Sequence, residues 1–168
     1  MSAYTARIEV TGKLLPATPS HTHTYQKRSI FRTTLEQIEA FHRDPAALKK
    51  LTPPPIFIQV HADRRVSLTE GDLEFTLWFG PLPVRWLARH ESVAGSGFAE
   101  WQVDGPMAYW RHEHLFEEVT DGVVLFDRVT LAHKPGIRGL LTRLIFDGIP
   151  LRILFLYRHW RTKQAVEN

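Results

Sequence analysis

The sequence predicts an α+β protein in which a curved antiparallel sheet wraps around a long C-terminal helix, with two short helices after the first strand. Three observations lead there. From Ile56 to Leu131 the apolar residues alternate in short runs separated by turn signals. Beyond Pro135-Gly136 their spacing becomes helical and stays so to the end. Alternation of single strands with helices is absent, as are a phosphate-loop glycine pattern and a dinucleotide fingerprint. A sheet and a helix that are each apolar on one side bury both sides if the sheet curves around the helix.

Taken in order, residues 1–22 read as an appended arm, since "LLPATPSHT" holds two prolines and three hydroxyl residues, with a short edge strand expected at Ala6–Val10. A strand follows over His23–Phe31. "TTLEQIEAFH" then supplies a capping Thr33 or Thr34 and places Leu35, Ile38 and Phe41 at helical spacing, so a helix is expected at about 34–42. A second short helix begins after Asp44-Pro45 and runs through "AALKKL" until Pro53-Pro54-Pro55 stops it. Strands are expected in "PIFIQVHA", "RRVSLTEG", "DLEFTLWFG", "VRWLARHESVAG", "GFAEWQVDG", "MAYWRHEHLFEEV" and "VVLFDRVTLAH", joined as hairpins. In the closing helix Leu140, Leu144, Gly148, Leu151, Phe155 and His159 fall on one stripe, and Pro150 should kink or divide it near Gly148.

Composition narrows the chemistry. The 168 residues are 43% hydrophobic and 23% charged, enough for one domain with a real core, expected over 23–164. With no Cys there is no disulfide, thiolate metal site or cysteine nucleophile, so His, Asp and Glu must carry any acid-base or metal chemistry. No apolar run approaches the roughly 20 residues of a membrane span, and no leader pattern is visible at the start, so a cytoplasmic location is expected. Between Lys134 and Lys163 seven basic residues face one acid, Asp147, giving that segment +6 against −3 for the remainder. Such a face is most simply solvated; beyond that it suits transient contact with an anionic membrane, without stable insertion. Nucleic acid is not an expected partner, because the aromatics fall mostly within strands and not beside the basic stretch.

Strand alternation assigns faces. Leu73, Phe75, Leu77 and Phe79 oppose Asp72, Glu74, Thr76 and Trp78, and the first set is inward. Trp86 and Ala88 take His90 inward with them. Trp110 and Phe116 do the same for His112 and His114, and Leu125, Val129 and Leu131 for Asp127. For "GFAEWQV" the pattern leaves the choice open between Phe98, Glu100, Gln102 and Ala99, Trp101, Val103, with apolarity favouring the latter.

The run "FAEWQVDGPMAYWRHEHLFEEVTDGVVLFDRV" resembles the pattern F-x-[D/E]-x-Q-x-x-G-P-x-x-x-W-x-H-x-H-x-F-E, followed by an Asp-containing strand, of a bacterial, polyketide cyclase/dehydrase-like branch of the SRPBCC superfamily, the START and Bet v 1-like helix-grip proteins. Phe98, Glu100, Gln102, Gly105, Pro106, Trp110, His112, His114, Phe116, Glu117 and Asp127 stand at the matching positions. "ALKKLTPPP" and "FLYRHW" look like further family segments, so the resemblance covers about 23–163. Met107 in place of an aromatic, Pro150 in the last helix and the unmatched first twenty-odd residues are departures. The resemblance implies about seven strands, an internal apolar cavity, and binding of a lipid, polyketide or similar hydrophobic molecule as carrier or sensor. It also implies that Phe98, Glu100 and Gln102 are the inward set, leaving Trp101 outside.

The expected ligand-lining residues are therefore Phe75, Leu77, Trp86, His90, Phe98, Glu100, Gln102, Trp110, His112, His114, Asp127, Leu151 and Phe155. Buried polar groups need partners, so the leading reading of the ionisable ones is a structural network that fixes register and orients a ligand. Acid-base catalysis by His112, His114, Glu100 and Asp127, as in a cyclase or dehydratase, is the second reading. A metal held by His112 and His114 is the third, and no metal or cofactor is expected. Arg158 is a candidate for a ligand's acidic group, though an inner carboxylate is the simpler partner. An interaction module would instead show an outward apolar patch including Trp78 and Trp101; the chain is expected as a monomer or homodimer.

Overall fold

The computed structural model describes residues 17–167. Strand β1 (His23–Phe31) is followed by α1 (Leu35–Arg43) and α2 (Ala47–Lys50). Then come β2 (Phe57–Asp63), β3 (Glu70–Phe79), β4 (Leu82–Ser92), β5 (Ser96–Asp104), β6 (Tyr109–Val119) and β7 (Gly122–Ala132). Two helices close the chain, α3 (Gly136–Phe146) and α4 (Gly148–Val166). The strands form one antiparallel sheet of seven in the order β1-β7-β6-β5-β4-β3-β2, a meander whose free end is capped by the first strand. This is the α+β helix-grip architecture that the sequence predicts. The edge strand expected at Ala6–Val10 lies outside the described residues, and of the arm only 17–22 are described; there the Thr18 hydroxyl donates to the Tyr109 hydroxyl at 3.2 Å.

Local chemistry explains most boundaries. Thr34 caps α1: its hydroxyl accepts from the Gln37 amide, and the Gln37 side chain accepts from the Thr34 amide in return. Asp44 closes α1 and its carboxylate accepts from the Ala46 amide, turning the chain into α2. Gly97 sits at φ +133°, where a Cβ would collide with the His114 carbonyl, so only glycine brings β5 this close to β6 at the start of their pairing. "RRVSLTEG" does not form the separate strand expected of it. Residues 64–69 make the turn between β2 and β3, held by the Arg64 and Val66 amides donating to the Asp72 and Glu70 carbonyls and by the Arg65 amide donating to the Asp63 carboxylate, and Glu70 and Gly71 begin β3.

The closing helix divides at Asp147, whose side chain caps α4 by accepting from the Gly148 amide. Pro150 then falls in the first turn of α4, where a missing N–H costs nothing. The division corrects the expected stripe. Leu151, Phe155 and His159 are buried along α4, but Leu140 and Leu144 are 59% and 66% exposed, because the break resets the helical phase and α3 buries Gly139, Thr142 and Phe146 instead.

Two apolar clusters fill the grip. One gathers Leu73, Phe75, Trp86, Trp110, Leu131, Phe146, Leu151 and Phe155. The other gathers Phe31, Ile38, Phe41, Phe98, Phe116, Val123, Leu125 and Val166. Phe155, with 0% of its surface exposed, packs its ring 5.2 Å from Tyr25 and 5.1 Å from His112, joining α4 to β1 and β6. Phe155→Ala is expected to cost about 3–5 kcal/mol, read as a lowered midpoint in chemical denaturation; a loss below 1 kcal/mol would show that α4 does not depend on this contact.

Candidate functional site

Between the two apolar clusters runs a band of buried polar side chains, set by register. Asp127 pairs with His114 across β6 and β7, Phe98 with His114 and Glu100 with His112 across β5 and β6, and His90 with Glu100 across β4 and β5. All five ionisable candidates therefore lie on the concave face in neighbouring rows. The inward set of β5 is Phe98, Glu100 and Gln102, as the resemblance implies and against the apolarity of the alternative set.

Asp127 is the centre of the band. Its carboxylate is 2% exposed. Oδ1 accepts from His112 Nε2 at 2.9 Å and Oδ2 from His159 Nε2 at 2.7 Å. His114 Nδ1 stands 2.8 Å from Oδ1 but off the N–H axis, a close electrostatic contact and not an aligned hydrogen bond. Burial acts to raise the Asp127 pKa, but the three imidazoles overcome it and hold the carboxyl well below its ordinary range. His159 is anchored in turn by Ser29 on β1, at 2.7 Å from Nδ1.

Glu100 is less enclosed, with 28% of its side chain exposed toward a small void of about 30 Å³. Its Oε1 lies 3.7 Å from His90 Nε2 and 3.8 Å from His114 Nε2, beyond hydrogen-bonding distance. Burial works to raise its pKa, yet the facing His90, His114, His112 and Arg158 hold it down to about 2. Burial lowers the pKa of His90 and His114, and that of His42 to about 4; His42 donates through Nδ1 to the Ile38 carbonyl and packs against Phe98, His114 and Phe116. Arg158 borders the void beside Glu100, and Arg65 closes another side.

Gln102 has a different task. Its amide donates to the Met107 carbonyl and accepts from the Met107 amide, both at 3.0 Å, bracing the turn between β5 and β6. A Cβ on Gly105 would strike that side chain, which accounts for glycine there. Phe75, Phe98, Glu100 and His114 line the interior void with His42, Leu73 and Arg65, whereas Trp110, His112, Leu151 and Phe155 are packed in the core around it. Leu77 is half-buried against the apolar cluster at the other end.

A much larger cleft of about 690 Å³ opens at that end. It exists because β5 pairs with β4 only from Leu87 onward, leaving Leu82–Trp86 without a partner on that side. The Asp104-Gly105-Pro106 turn and α3 frame the gap, Trp86 and Phe146 form its floor with rings 5.7 Å apart, and Leu141 and Ile145 form its wall. Lys134 donates to the Gly105 carbonyl at 2.7 Å, tying the turn to the start of α3, and Arg138 stands at the rim. Of the expected lining residues only Trp86 borders this cleft. Residues the sequence reading missed are His42 and Arg65 in the band, His159 as a ligand of Asp127, and Leu141, Ile145 and Phe146 in the cleft. For His159 the signal was present, since it falls on the buried stripe of α4.

On the outer face Arg89 and Asp72 form a buried paired contact at 2.8 and 3.1 Å, and Arg111 bridges Glu91 and Glu113 while lying 5.0 Å over the Trp101 ring. Trp78 donates to Gln59 at 3.1 Å. Neither tryptophan belongs to a bare apolar patch.

No family model matches the chain, and no curated protein matches it. Solved structures do. A START superfamily protein from Mycobacterium smegmatis superposes with a TM-score of 0.64 over 86% of this chain and 97% of its own, at 12% identity. A nucleoside-diphosphate sugar epimerase from Corynebacterium glutamicum matches with a TM-score of 0.61 at 23% identity over 83% of this chain, which spans only 28% of that enzyme. The di-domain aromatase/cyclase of the steffimycin biosynthetic pathway matches with a TM-score of 0.60 at 11% identity, over 87% of this chain and 51% of that one. These likenesses establish the fold, the helix grip that these structures share.

Two outcomes test the band. Asp127→Ala leaves three imidazoles facing a hole and is expected to cost about 3–5 kcal/mol in denaturant unfolding, whereas Glu100→Gln breaks no hydrogen bond of the described residues but removes the charge that the imidazoles and Arg158 stabilise, and is expected to cost less, about 1–3 kcal/mol. The pH dependence follows from His42: the unfolded chain binds its proton below about 6.5 and the folded chain only below about 4, so stability falls as pH drops through that window, by about 3 kcal/mol at most from this group. His42→Phe should flatten that part of a stability profile between pH 7 and 4; an unchanged slope would assign the loss elsewhere.

Proposed function

We propose that the protein binds a hydrophobic small molecule, a lipid, polyketide or compound of similar character, as a carrier or sensor, and that the cleft between β4 and α3 receives it. The observation that carries this is the size and lining of that cleft. About 690 Å³ falls within the roughly 300–1,000 Å³ of small-molecule sites, and its floor of Trp86 and Phe146 belongs to the buried apolar cluster around Phe155, with the partly buried Val84 and Ile145 beside it. The names of the structural neighbours, a START protein and an aromatase/cyclase, agree with a ligand of this class. The polar band then serves as the spacer that holds the sheet in register behind the cleft. Native mass spectrometry after lipid extraction, and displacement of a fluorescent fatty acid probe, test the reading. Ile145→Glu is expected to weaken probe binding at least ~10-fold, since a buried charge in an apolar wall costs more than 1.4 kcal/mol, with little change in melting temperature. Failure to shift with any hydrophobic ligand would sink it.

The ligand source we infer is an anionic lipid surface. On α3, Ile137, Leu140, Leu141 and Leu144 form an exposed stripe flanked by Arg138 and Arg143, and α4 continues with exposed Ile149, Ile153 and Leu156 beside Arg152. No acidic residue lies on α3. An apolar stripe edged by arginines suits the headgroup boundary of an anionic bilayer, and Leu141 joins that stripe to the cleft wall. Among the described residues no helix is long and apolar enough to cross a membrane, so the contact is one of surface docking. The chain should sediment with phosphatidylcholine vesicles that contain phosphatidylserine and much less with pure phosphatidylcholine, and Leu140→Glu with Leu144→Glu should abolish sedimentation. A homodimer burying the same stripe, or no vesicle binding at low salt, would overturn this.

Acid-base catalysis by the band is the second reading, favoured by the His112–Asp127 contact. It requires turnover of a polyketide-like substrate that Glu100→Gln abolishes while the chain stays folded.

A further inference from the structure

The cleft between β4 and α3 is apolar along its floor and wall, but its rim carries charges, and these are unevenly placed. On the β3 and β4 side Glu74 and Arg85 neutralise one another, the guanidinium donating to the carboxylate at 2.8 Å. On the opposite side stand Lys134 and Arg138. Lys134 donates to the Gly105 carbonyl at 2.7 Å, a contact that leaves its charge uncompensated. Among the described residues neither cation has a carboxylate at ion-pair distance. Asp104 also lines the cleft but pairs with neither, so this side of the rim is net positive even with Asp104 counted. The one acid between Lys134 and Lys163, Asp147, is taken by His133 and by the Gly148 amide.

The chain around these cations runs against helix electrostatics. The first turn of a helix carries partial positive charge and favours acids. α3 instead has Lys134 ahead of its cap, Arg138 in its first turn, no acid there, and in Pro135 a cap without a side-chain acceptor. A local rule broken with no compensating contact inside the chain is expected where function demands it. Along α3, Arg138, Leu141, Thr142 and Ile145 share the face that lines the cleft. From Arg138 to Ile145 that face rises about 10 Å. The Thr142 hydroxyl is already spent on the Gly139 carbonyl and on His133, so the face passes from a cation to apolar side chains along its length. A wholly apolar occupant would cover Lys134 and Arg138 and gain nothing in return, whereas an anionic head group would meet both.

We propose that the ligand of the cleft is an amphipathic acid, a hydrophobic body ending in a carboxylate or phosphate, with Arg138 and Lys134 holding the anionic group and Leu141 and Ile145 flanking the apolar part over Trp86 and Phe146. This rests on the cleft as the binding site and adds which ligands it selects. The full chain is titrated by calorimetry with dodecanoate, dodecyl phosphate and dodecanol, each monomeric in solution and without vesicles, so that attraction of Arg138 to a bilayer plays no part. One anion or both should bind at least ~5-fold more tightly than dodecanol, the scale of ion pairs at a partly open rim, and the tighter of the two names the head group. Arg138→Gln should erase that preference while leaving dodecanol affinity and melting temperature unchanged, and Arg138→Glu should favour dodecyltrimethylammonium instead. Arg143→Gln, on the same helix but outside the cleft, should leave the preference intact, and Ile145→Glu should weaken all three, which ties the signal to the cleft. If dodecanol binds as tightly as both anions, or the preference survives Arg138→Gln, the amphipathic acid is overturned while the cleft stands as an apolar site. If none of the three binds, the cleft reading fails and this one with it.

Discussion

The carboxylate of Asp127 is bound by imidazoles from two directions: His112 and His114 on the neighbouring strand, and His159 on the helix that the sheet encloses. A buried charge of this kind is tolerated only when every lone pair has a partner, so the positions of β6, β7 and α4 relative to one another are fixed together or not at all. Shifting β7 by one residue would turn Asp127 outward and leave three histidines facing an apolar wall. The register of the sheet, the seating of α4 and the division of the interior into two apolar clusters all follow from this contact.

The division separates two chemistries. At one end the polar band leaves a space of about 30 Å³, bordered by Glu100, His42 and His114 and by the guanidiniums of Arg65 and Arg158. At the other, the sheet is incomplete where β5 stops short along β4, and Trp86 of β4 and Phe146 of α3, both members of the core, line the cleft that results. A protein that binds apolar molecules needs such an opening, because a completed ladder would seal Trp86 and Phe146 away from any ligand. The helix beside the opening also carries the exposed apolar stripe and its arginines, so under the proposed reading access to the cleft and contact with a lipid surface fall to a single element.

Much of this was legible before any coordinates. The inward direction of His90, His112, His114 and Asp127 follows from two-residue alternation beside Trp86, Trp110, Phe116 and Leu125, because one buried aromatic on a strand commits every second neighbour. The threonines ahead of Leu35 announce the start of α1, and the structure chooses Thr34, whose hydroxyl accepts from the Gln37 amide. The "RRVSLTEG" segment misled because its alternation is genuine, but the Asp63 carboxylate accepts from the Arg65 backbone amide and the Val66 amide donates to the Glu70 carbonyl, so the backbone turns there and leads into β3. The stripe through Leu140 and Leu144 misled because helical periodicity was carried across Asp147, where a new helix begins with its own phase.

Alternation and spacing are properties of neighbours along the chain, so the sequence by itself determined most element types, the hairpin order and the inward face of His90, His112, His114 and Asp127, while for Glu100 the alternation left both faces open. It could not decide which nitrogen of each histidine is free, that Gln102 is spent on Met107, or that His159 on the last helix completes the shell of Asp127. Those depend on contacts between residues 5 to 32 positions apart, set for Gln102 by the turn between β5 and β6 and for His159 by the closing of the sheet around α4. The cleft belongs to the same class of fact: it is the difference between the lengths of two paired strands, and pairing exists only in three dimensions.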